Sequence, residues 1–311
     1  MRFPHPPPLG KGLESSVLSW NPDNLSLQST LKSVYLPFPK LGSTLTYDFK
    51  TDATEIKDNL DCTLIGSTVL LLPEVDSTNK LLKKYLENGA EEGLVAIAET
   101  QTAGRGRFGR TWYSPAEKGI YLSVLLKPRL PLSHLPRLTL MAGVATVSAL
   151  NEFTRQRATL KWPNDILINE KKACGLLCEY SQAPDGTTGI IIGVGINTNH
   201  LPEQFPEELR GTSTSLLIEN GLPVKRLSLI RSLLNHLDQE YQAYLTDDGQ
   251  ETLRKWALNT DLFERQVIIT CGSDITRGIA MRLDDSGRLI VQTEGGGEKA
   301  FDSGEVTLQA K

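Results

Sequence analysis

Apolar positions along this chain change their repeat several times, and each change marks an element. In "CTLIGSTVLLLPEVDSTNKLLKKYLENG" an apolar run reads as a strand ending at Pro73. Asp76 or Ser77 then serves as N-cap for a helix whose apolar face carries Leu81, Leu82, Tyr85 and Leu86. "GLVAIAETQ" reads as a strand running into a glycine-rich loop, and "GIYLSVLLKP" as a strand closed by Pro128. The clearest helix is "SHLPRLTLMAGVATVSALNEF", with Leu140, Val144, Val147 and Leu150 at helical spacing. Three strands follow, "TLKWPNDILIN", "KACGLLCEYS" and "GIIIGVGINTN", joined by turns at "NEKK" and "APDGTTG". Residues 225–258 read as helical, with Leu229, Leu233, Leu237, Tyr241 and Tyr244 on one side. From about 263 the texture becomes short strands between glycine turns: "RQVIITCG", "TRGIAMRLDD", "GRLIVQTEGGG" and "KAFDSGEVTL".

This order predicts three regions: an extension over 1–60, a large domain over 61–260, and a small β-barrel over 261–311. Seven of the seventeen prolines fall in the first 40 residues, without sustained periodicity, so the extension reads as flexible. A targeting segment or a misassigned upstream start would also fit it, although Arg2 is its one arginine. Its six basic and six acidic residues cancel, which argues against a DNA-binding helix-turn-helix.

Composition narrows the classes. With 33 basic and 37 acidic side chains the chain is no general nucleic-acid or membrane-surface binder. No apolar run approaches the roughly 20 residues that span a bilayer. Cys62, Cys174, Cys178 and Cys271 contain no C-x-x-C pair and read as structural thiols of a reducing compartment, the cytoplasm. Scattered histidines (His5, His134, His200, His236) give no sign of a metal site or a histidine triad.

The loop "AGRGRFGRTWYSP" has the glycine spacing of a dinucleotide-binding turn at 104, 106 and 109. That reading also needs a helix opening on the last glycine and an acid about 20 residues on. "RTWYSP" does not open a helix, and position 129 is Arg, so the dinucleotide reading fails. What remains are three arginines at 105, 107 and 110, interleaved with glycine. Forked donors suit carboxylate and phosphate, while a solvated basic turn reads equally well from this loop alone.

Three further segments bear on the choice. "STN" at 77–79 stands at a helix start, where simple capping is the ordinary role. In "KWPND", 161–165, a Pro interrupts an otherwise apolar strand, a kink with a reason to be kept at a site. In "KKACGLLCE", Lys172 enters a core strand, which is costly unless it meets an anion.

Together "STN", "QTAGRGRFGRTWYSP", "KWPNDILIN", "KACGLLCE" and "GVGIN" resemble the biotin protein ligase family, over about 65–200 and in the terminal barrel. The resemblance implies an α+β fold: a mixed, mostly antiparallel sheet backed by helices, similar to the class II synthetase catalytic core, then a small SH3-like β-barrel. It implies that biotin and ATP, with Mg²⁺, give biotinyl-5′-AMP, whose biotin passes to a lysine of a biotin carboxyl carrier protein domain. Lys172, Arg107 and Lys161 would be catalytic. Ser77, Thr78, Asn79, Gln101, Gly104, Arg105, Gly106, Arg107, Lys172 and Gly175 would bind biotin. Arg107, Arg110, Trp112, Lys161, Asn164 and Asn197 would bind ATP or the adenylate, with Trp112 stacking beside adenine. No dedicated metal ligands are visible; Asp165 is either a magnesium ligand or a turn cap. The loop over 104–110 should be mobile when empty, for its glycines and unpaired charge. An edge strand near "KACGLLCEYS" to "GIIIGVGIN" should receive the carrier. A homodimer is compatible, and DNA binding is not expected. The alternatives are a biotin-dependent transcriptional repressor and a lipoate–protein ligase, whose "RR…GGG" and His-Asp segments do not occur.

Overall fold

A computed structural model describes residues 53–57 and 60–308 of the chain. The expected N-terminal extension therefore lies outside the described residues, apart from α1 (Ala53–Lys57), whose Ile56 is fully buried, and Leu60.

A strand that is apolar at each position needs cover on both faces, and β3 (Gly119–Leu126) is buried throughout. It lies inside a seven-stranded sheet with β1 (Thr68–Val75), β2 (Leu94–Gln101), β4 (Ala158–Lys161), β5 (Asp165–Ile168), β6 (Lys171–Gln182) and β7 (Thr188–Asn197). The order is β1-β2-β3-β7-β6-β5-β4; β1 and β2 run parallel and the other pairs antiparallel.

Alternation along the strands separates two cores. Val69, Val95, Val124 and Ile192 face the long helices α3 (Leu135–Phe153) and α5 (Arg226–Asp247). Leu70, Ala96, Leu125 and Ile191 face Leu82 and Leu86 of α2 (Thr78–Glu87). Ser123, Gly193 and Gly195 continue the repeat of Leu125 and Ile191, so they open on the α2 side, where the site lies. Two shorter helices, α4 (Leu216–Asn220) and α6 (Gln250–Leu258), complete the domain.

Four local expectations change. Pro73 does not end its strand: β1 pairs on both sides of it, and as an edge strand it tolerates the missing donor. "TLKWPNDILIN" is a hairpin, with Lys161 opposite Asp165, so its Pro sits in a turn and costs no ladder bond. The helical stretch over 225–258 breaks at Asp248 (φ 59°) and Gly249 (φ 80°), where the Asp247 carboxylate accepts from the Gly249 and Glu251 amides. "KAFDSGEVTL" divides into two strands.

Those two, β11 (Glu298–Phe301) and β12 (Glu305–Leu308), join β8 (Gln266–Cys271), β9 (Asp274–Leu283) and β10 (Leu289–Thr293) in a second sheet. All its pairs are antiparallel, in the order β11-β10-β9-β8-β12, as expected of the small barrel. The Trp162 indole donates to the Gly287 carbonyl at 3.1 Å, tying the "KWPND" turn to this sheet. Inside the large domain, Arg226 holds Glu99 by two hydrogen bonds of 2.6 and 3.1 Å, both groups buried, and so fixes the start of α5 to β2.

Among the described residues no helix is long and apolar enough to cross a membrane. All four cysteines are free thiols. Burial pushes the Cys62 and Cys178 thiols up to about 12, with nearby carboxylates adding to the effect, so both are inert at neutral pH.

Candidate active site

The glycine loop leaves β2 and folds back on itself. The Gly106 amide donates to the Arg110 carbonyl at 2.7 Å, and the Trp112 amide to the Gly104 carbonyl at 2.9 Å. At its tip Phe108 is left-handed (φ 56°) and exposed. A Cβ on Gly104 would stand 2.5 Å from the Trp112 carbonyl oxygen, so this turn closes on glycine alone.

Each loop arginine has a partner, which removes one premise of the expected mobility. Arg105 pairs with Glu179 at 3.0 Å. Arg107 donates to Asn164 Oδ1 at 3.0 Å and to the Gly304 carbonyl at 3.3 Å. Arg110 forms a two-pronged pair with Glu305. The small C-terminal sheet thus supplies Gly304 and Glu305 to the loop's far side.

The loop covers a cavity of about 670 Å³, within the usual range for a small-molecule site. Of the expected site residues, Ser77, Thr78, Asn79, Gln101, Arg105, Gly106, Arg107, Arg110, Trp112, Lys161, Asn164, Lys172, Gly175 and Asn197 line it. Gly104 lies behind the wall. Six cationic side chains, the sixth being Arg265, face the cavity against three carboxylates, Asp165, Glu170 and Glu305. The excess suits an anionic ligand. Burial pulls the Lys161 ammonium below its ordinary value, and likewise the Arg107 guanidinium, with Asp165 opposing both. Poorly hydrated cations of this kind gain most when an anion arrives.

Lys172 enters from β6 with Nζ 2.5 Å from Asp165 Oδ1, which occupies Asp165 in an ion pair rather than as a turn cap. The same Nζ stands 5.4 Å from the Trp112 ring centroid. Gly175 and Gly195 are directly opposed across β6 and β7, and the indole lies on them. A Cβ on Gly195 would be 2.4 Å from Trp112 Nε1, and one on Gly175 2.8 Å from its ring. Among the described residues the buried Trp112 Nε1 has no hydrogen-bond partner.

The opposite wall is neutral and polar. Ser77 stands at the N-cap of α2 but makes no side-chain cap bond. Gln101 Oε1 accepts from the Thr78 amide at 2.9 Å and lies 3.1 Å from Thr78 Oγ1. Ser123 Oγ lies 2.7 Å from Thr78 Oγ1 and 2.6 Å from Asn79 Oδ1. Asn79 Nδ2 donates to the Leu177 carbonyl and to Glu179 Oε2, which fixes its amide orientation. A chain therefore runs from Gln101 Oε1 through two hydroxyls to Asn79 Oδ1. Its three contacts share two hydroxyl protons, because both ends are pure acceptors. One contact lacks a hydrogen, which leaves acceptor lone pairs on this wall for a ligand bearing N–H donors.

Sequence reasoning missed Ser123, Glu179, Arg265, Gly304 and Glu305. Ser123 carried a signal, a small hydroxyl residue inside the largely apolar run "GIYLSVLL". For the others, only the folding of distant segments onto the loop reveals them.

The edge expected over both strands holds for part of one. β7 is interior, between β3 and β6. β6 pairs with β5 over Lys171–Gly175 and, among the described residues, with β7 alone over Leu177–Gln182.

Comparison with known proteins agrees with this geometry. Residues 71–197 match the biotin/lipoate A/B protein ligase family, and residues 262–308 the biotin protein ligase C-terminal domain. The Bacillus subtilis bifunctional ligase/repressor BirA is 34% identical, over 82% of this chain and 78% of its own length. The biotin–[acetyl-CoA-carboxylase] ligase of Mycobacterium tuberculosis is 33% identical, over 76% of this chain and 87% of its own. The structure of the Aquifex aeolicus biotin protein ligase in complex with biotin and ATP covers 78% of this chain and 99% of its own, with 31% identity and a TM-score of 0.69. The chain belongs to the biotin protein ligase family.

Proposed function

We propose that this chain is an ATP-dependent, AMP-forming biotin–[acetyl-CoA-carboxylase] ligase that acts in two half-reactions within the one cavity. The observation that carries the reading is the facing of a proton-short polar wall by an excess of cations. The wall of Thr78, Asn79, Gln101 and Ser123 suits the cyclic urea of biotin, whose N–H groups find acceptor lone pairs there and whose carbonyl needs donors.

In the first half-reaction the biotin carboxylate attacks the α-phosphorus of ATP, and pyrophosphate leaves. Two anions must meet, and Arg107, Lys161 and Lys172 screen both and stabilise the charge that develops between them. Trp112 Nε1 and Asn197, whose Nδ2 is 3.3 Å from the Lys172 carbonyl, face the nucleotide side. Asn164 acts through Arg107, whose guanidinium it holds. Mg²⁺ would come with ATP and be held mainly by phosphate oxygens, with the Asp165 carboxylate as the candidate protein ligand; bound there it would screen the phosphate charge.

In the second half-reaction a lysine amine of the carrier attacks the mixed anhydride at the carbonyl carbon, and AMP leaves. The single-sided stretch of β6 next to Arg105 is the place for carrier docking, by strand addition. The names of the ligase relatives support a carboxyl carrier as acceptor. The repressor and lipoate alternatives gain nothing from this geometry.

The test is a streptavidin blot of a carrier domain after incubation with biotin, ATP and magnesium. Biotin should appear on the domain with its acceptor Lys and not on the Lys→Arg form. Labelling of both equally, or of neither, contradicts the proposal.

A further inference from the structure

Glu179 does not line the cavity, yet it touches both parts of the site. It stands on β6 where the strand loses β5 as a partner, with Ile191 of β7 opposite. One carboxylate oxygen accepts from Asn79 Nδ2 at 2.8 Å; the other pairs with Arg105 at 3.0 Å. Asn79 is buried and faces the ligand; Arg105 is half exposed and belongs to the loop.

The connection continues around the site. From Asn79 it passes through Ser123, Thr78 and Gln101 to Ser114, whose hydroxyl donates to the Trp112 carbonyl at 3.0 Å. Arg105 lies at one end of the glycine loop, and Trp112 lies just beyond the other. The loop is therefore tied at both ends to one hydrogen-bonded chain, and the proton-short segment of that chain is the ligand wall.

We propose that Glu179 is a positioning residue that couples loop closure to occupancy of the polar wall. This rests on the reading of that wall as the biotin site. An exposed Arg–Glu pair is weak by itself, so the empty loop can open. When a ligand N–H donates to Asn79 Oδ1, the amide that Leu177 and Glu179 already orient is held at both of its ends, and its Nδ2 restrains the carboxylate more firmly. A fixed carboxylate is then a better anchor for Arg105, because less side-chain freedom is lost in forming the pair. By reciprocity, a closed loop tightens the wall around the ligand.

Limited trypsinolysis after Arg105 and Arg107, with and without biotin, reads the coupling directly. Biotin should slow cleavage of the unsubstituted protein by about tenfold, within the usual range for coupled sites. Glu179→Gln keeps an acceptor for Asn79 but not the charge for Arg105. It should lose that protection while the biotin KM stays within about threefold. Glu179→Leu leaves one of the two Asn79 Nδ2 hydrogens unpaired and should raise the biotin KM by about tenfold as well. Arg105→Gln should lose protection as Glu179→Gln does, and the double variant should lose no more. If biotin protects the unsubstituted protein and Glu179→Gln equally, the coupling is wrong while the site reading stands. If Glu179→Leu and Glu179→Gln share one KM, the link through Asn79 is wrong. Absence of protection by biotin in the unsubstituted protein overturns both the coupling and the loop's role as a cover.

Discussion

Lys172 Nζ lies 2.5 Å from Asp165 Oδ1, an ion pair formed across the short register of β5 and β6 at the floor of the cavity. Both side chains remain partly exposed, so the pair contributes little to stability. Its consequence is placement: the carboxylate holds the ammonium beneath the Trp112 ring. Asp165→Ala should slow adenylate formation by roughly tenfold to a hundredfold, since small misplacement of a reacting cation is costly. The melting temperature should barely move, and a large drop would make Asp165 a fold residue instead.

The opposed glycines at 175 and 195 make the slot that Trp112 fills. Gly195→Ala inserts a methyl group 2.4 Å from Trp112 Nε1, and a strand backbone cannot yield as easily as an indole. The variant should lose about 1–3 kcal/mol of stability by overpacking. Displacement of the indole should appear as a shifted tryptophan emission together with a raised KM for ATP. Unchanged emission and KM would place Trp112 away from the nucleotide.

His200 is fully buried, stacked on Phe205 at 4.9 Å, and among the described residues neither ring nitrogen has a hydrogen-bond partner. Burial, with Lys118 adding to it, pushes its pKa down to about 4. The folded state therefore holds the neutral ring while the unfolded chain takes up a proton near its ordinary value. Stability is complete above about pH 6.5, falls as the pH drops toward 4, and loses nothing further from this group below that. Between about pH 7.5 and 5 the loss should be about 2 kcal/mol in urea unfolding. In His200→Phe that part of the slope should vanish; an unchanged slope would assign it to other groups.

Leu176 turns its amide and carbonyl away from β7, toward Asn164. The two-residue repeat gives Cys178 and Tyr180 the same direction. Tyr180→Pro consequently removes a donor from the open side and leaves the β7 ladder intact. Transfer to a carrier domain should fall by tenfold or more, roughly the loss of one or two hydrogen bonds, while adenylate formation continues. Unimpaired transfer would move the docking surface elsewhere.

How much of this could be read from residues depends on how local each cause was. Strand and helix order followed from apolar spacing, and the loop, "STN" and Lys172 announced themselves by polar groups in apolar surroundings. The "KWPND" hairpin reads as one kinked strand because two four-residue strands and their turn have the same composition; pairing decides between them. Pro73 reads as a strand end because nothing local says that β1 is an edge. The 225–258 helix breaks at Asp248 and Gly249, an Asp-Gly pair that favours a turn, but buried Thr252 and Trp256 continue the helical texture past it and mask the break. Glu305 lies 195 residues from Arg110 and could not have been found without the fold.

The central claim is that Arg107 and Lys172 together bring a carboxylate and ATP to reaction. Biotin-dependent exchange of labelled pyrophosphate into ATP measures that step without any carrier. The unsubstituted protein should exchange only when biotin is present, and Lys172→Ala and Arg107→Ala should each be slower by about a hundredfold or more, the usual loss for removing one charge-stabilising group. Exchange that ignores biotin, or that survives both substitutions at full rate, would contradict the account.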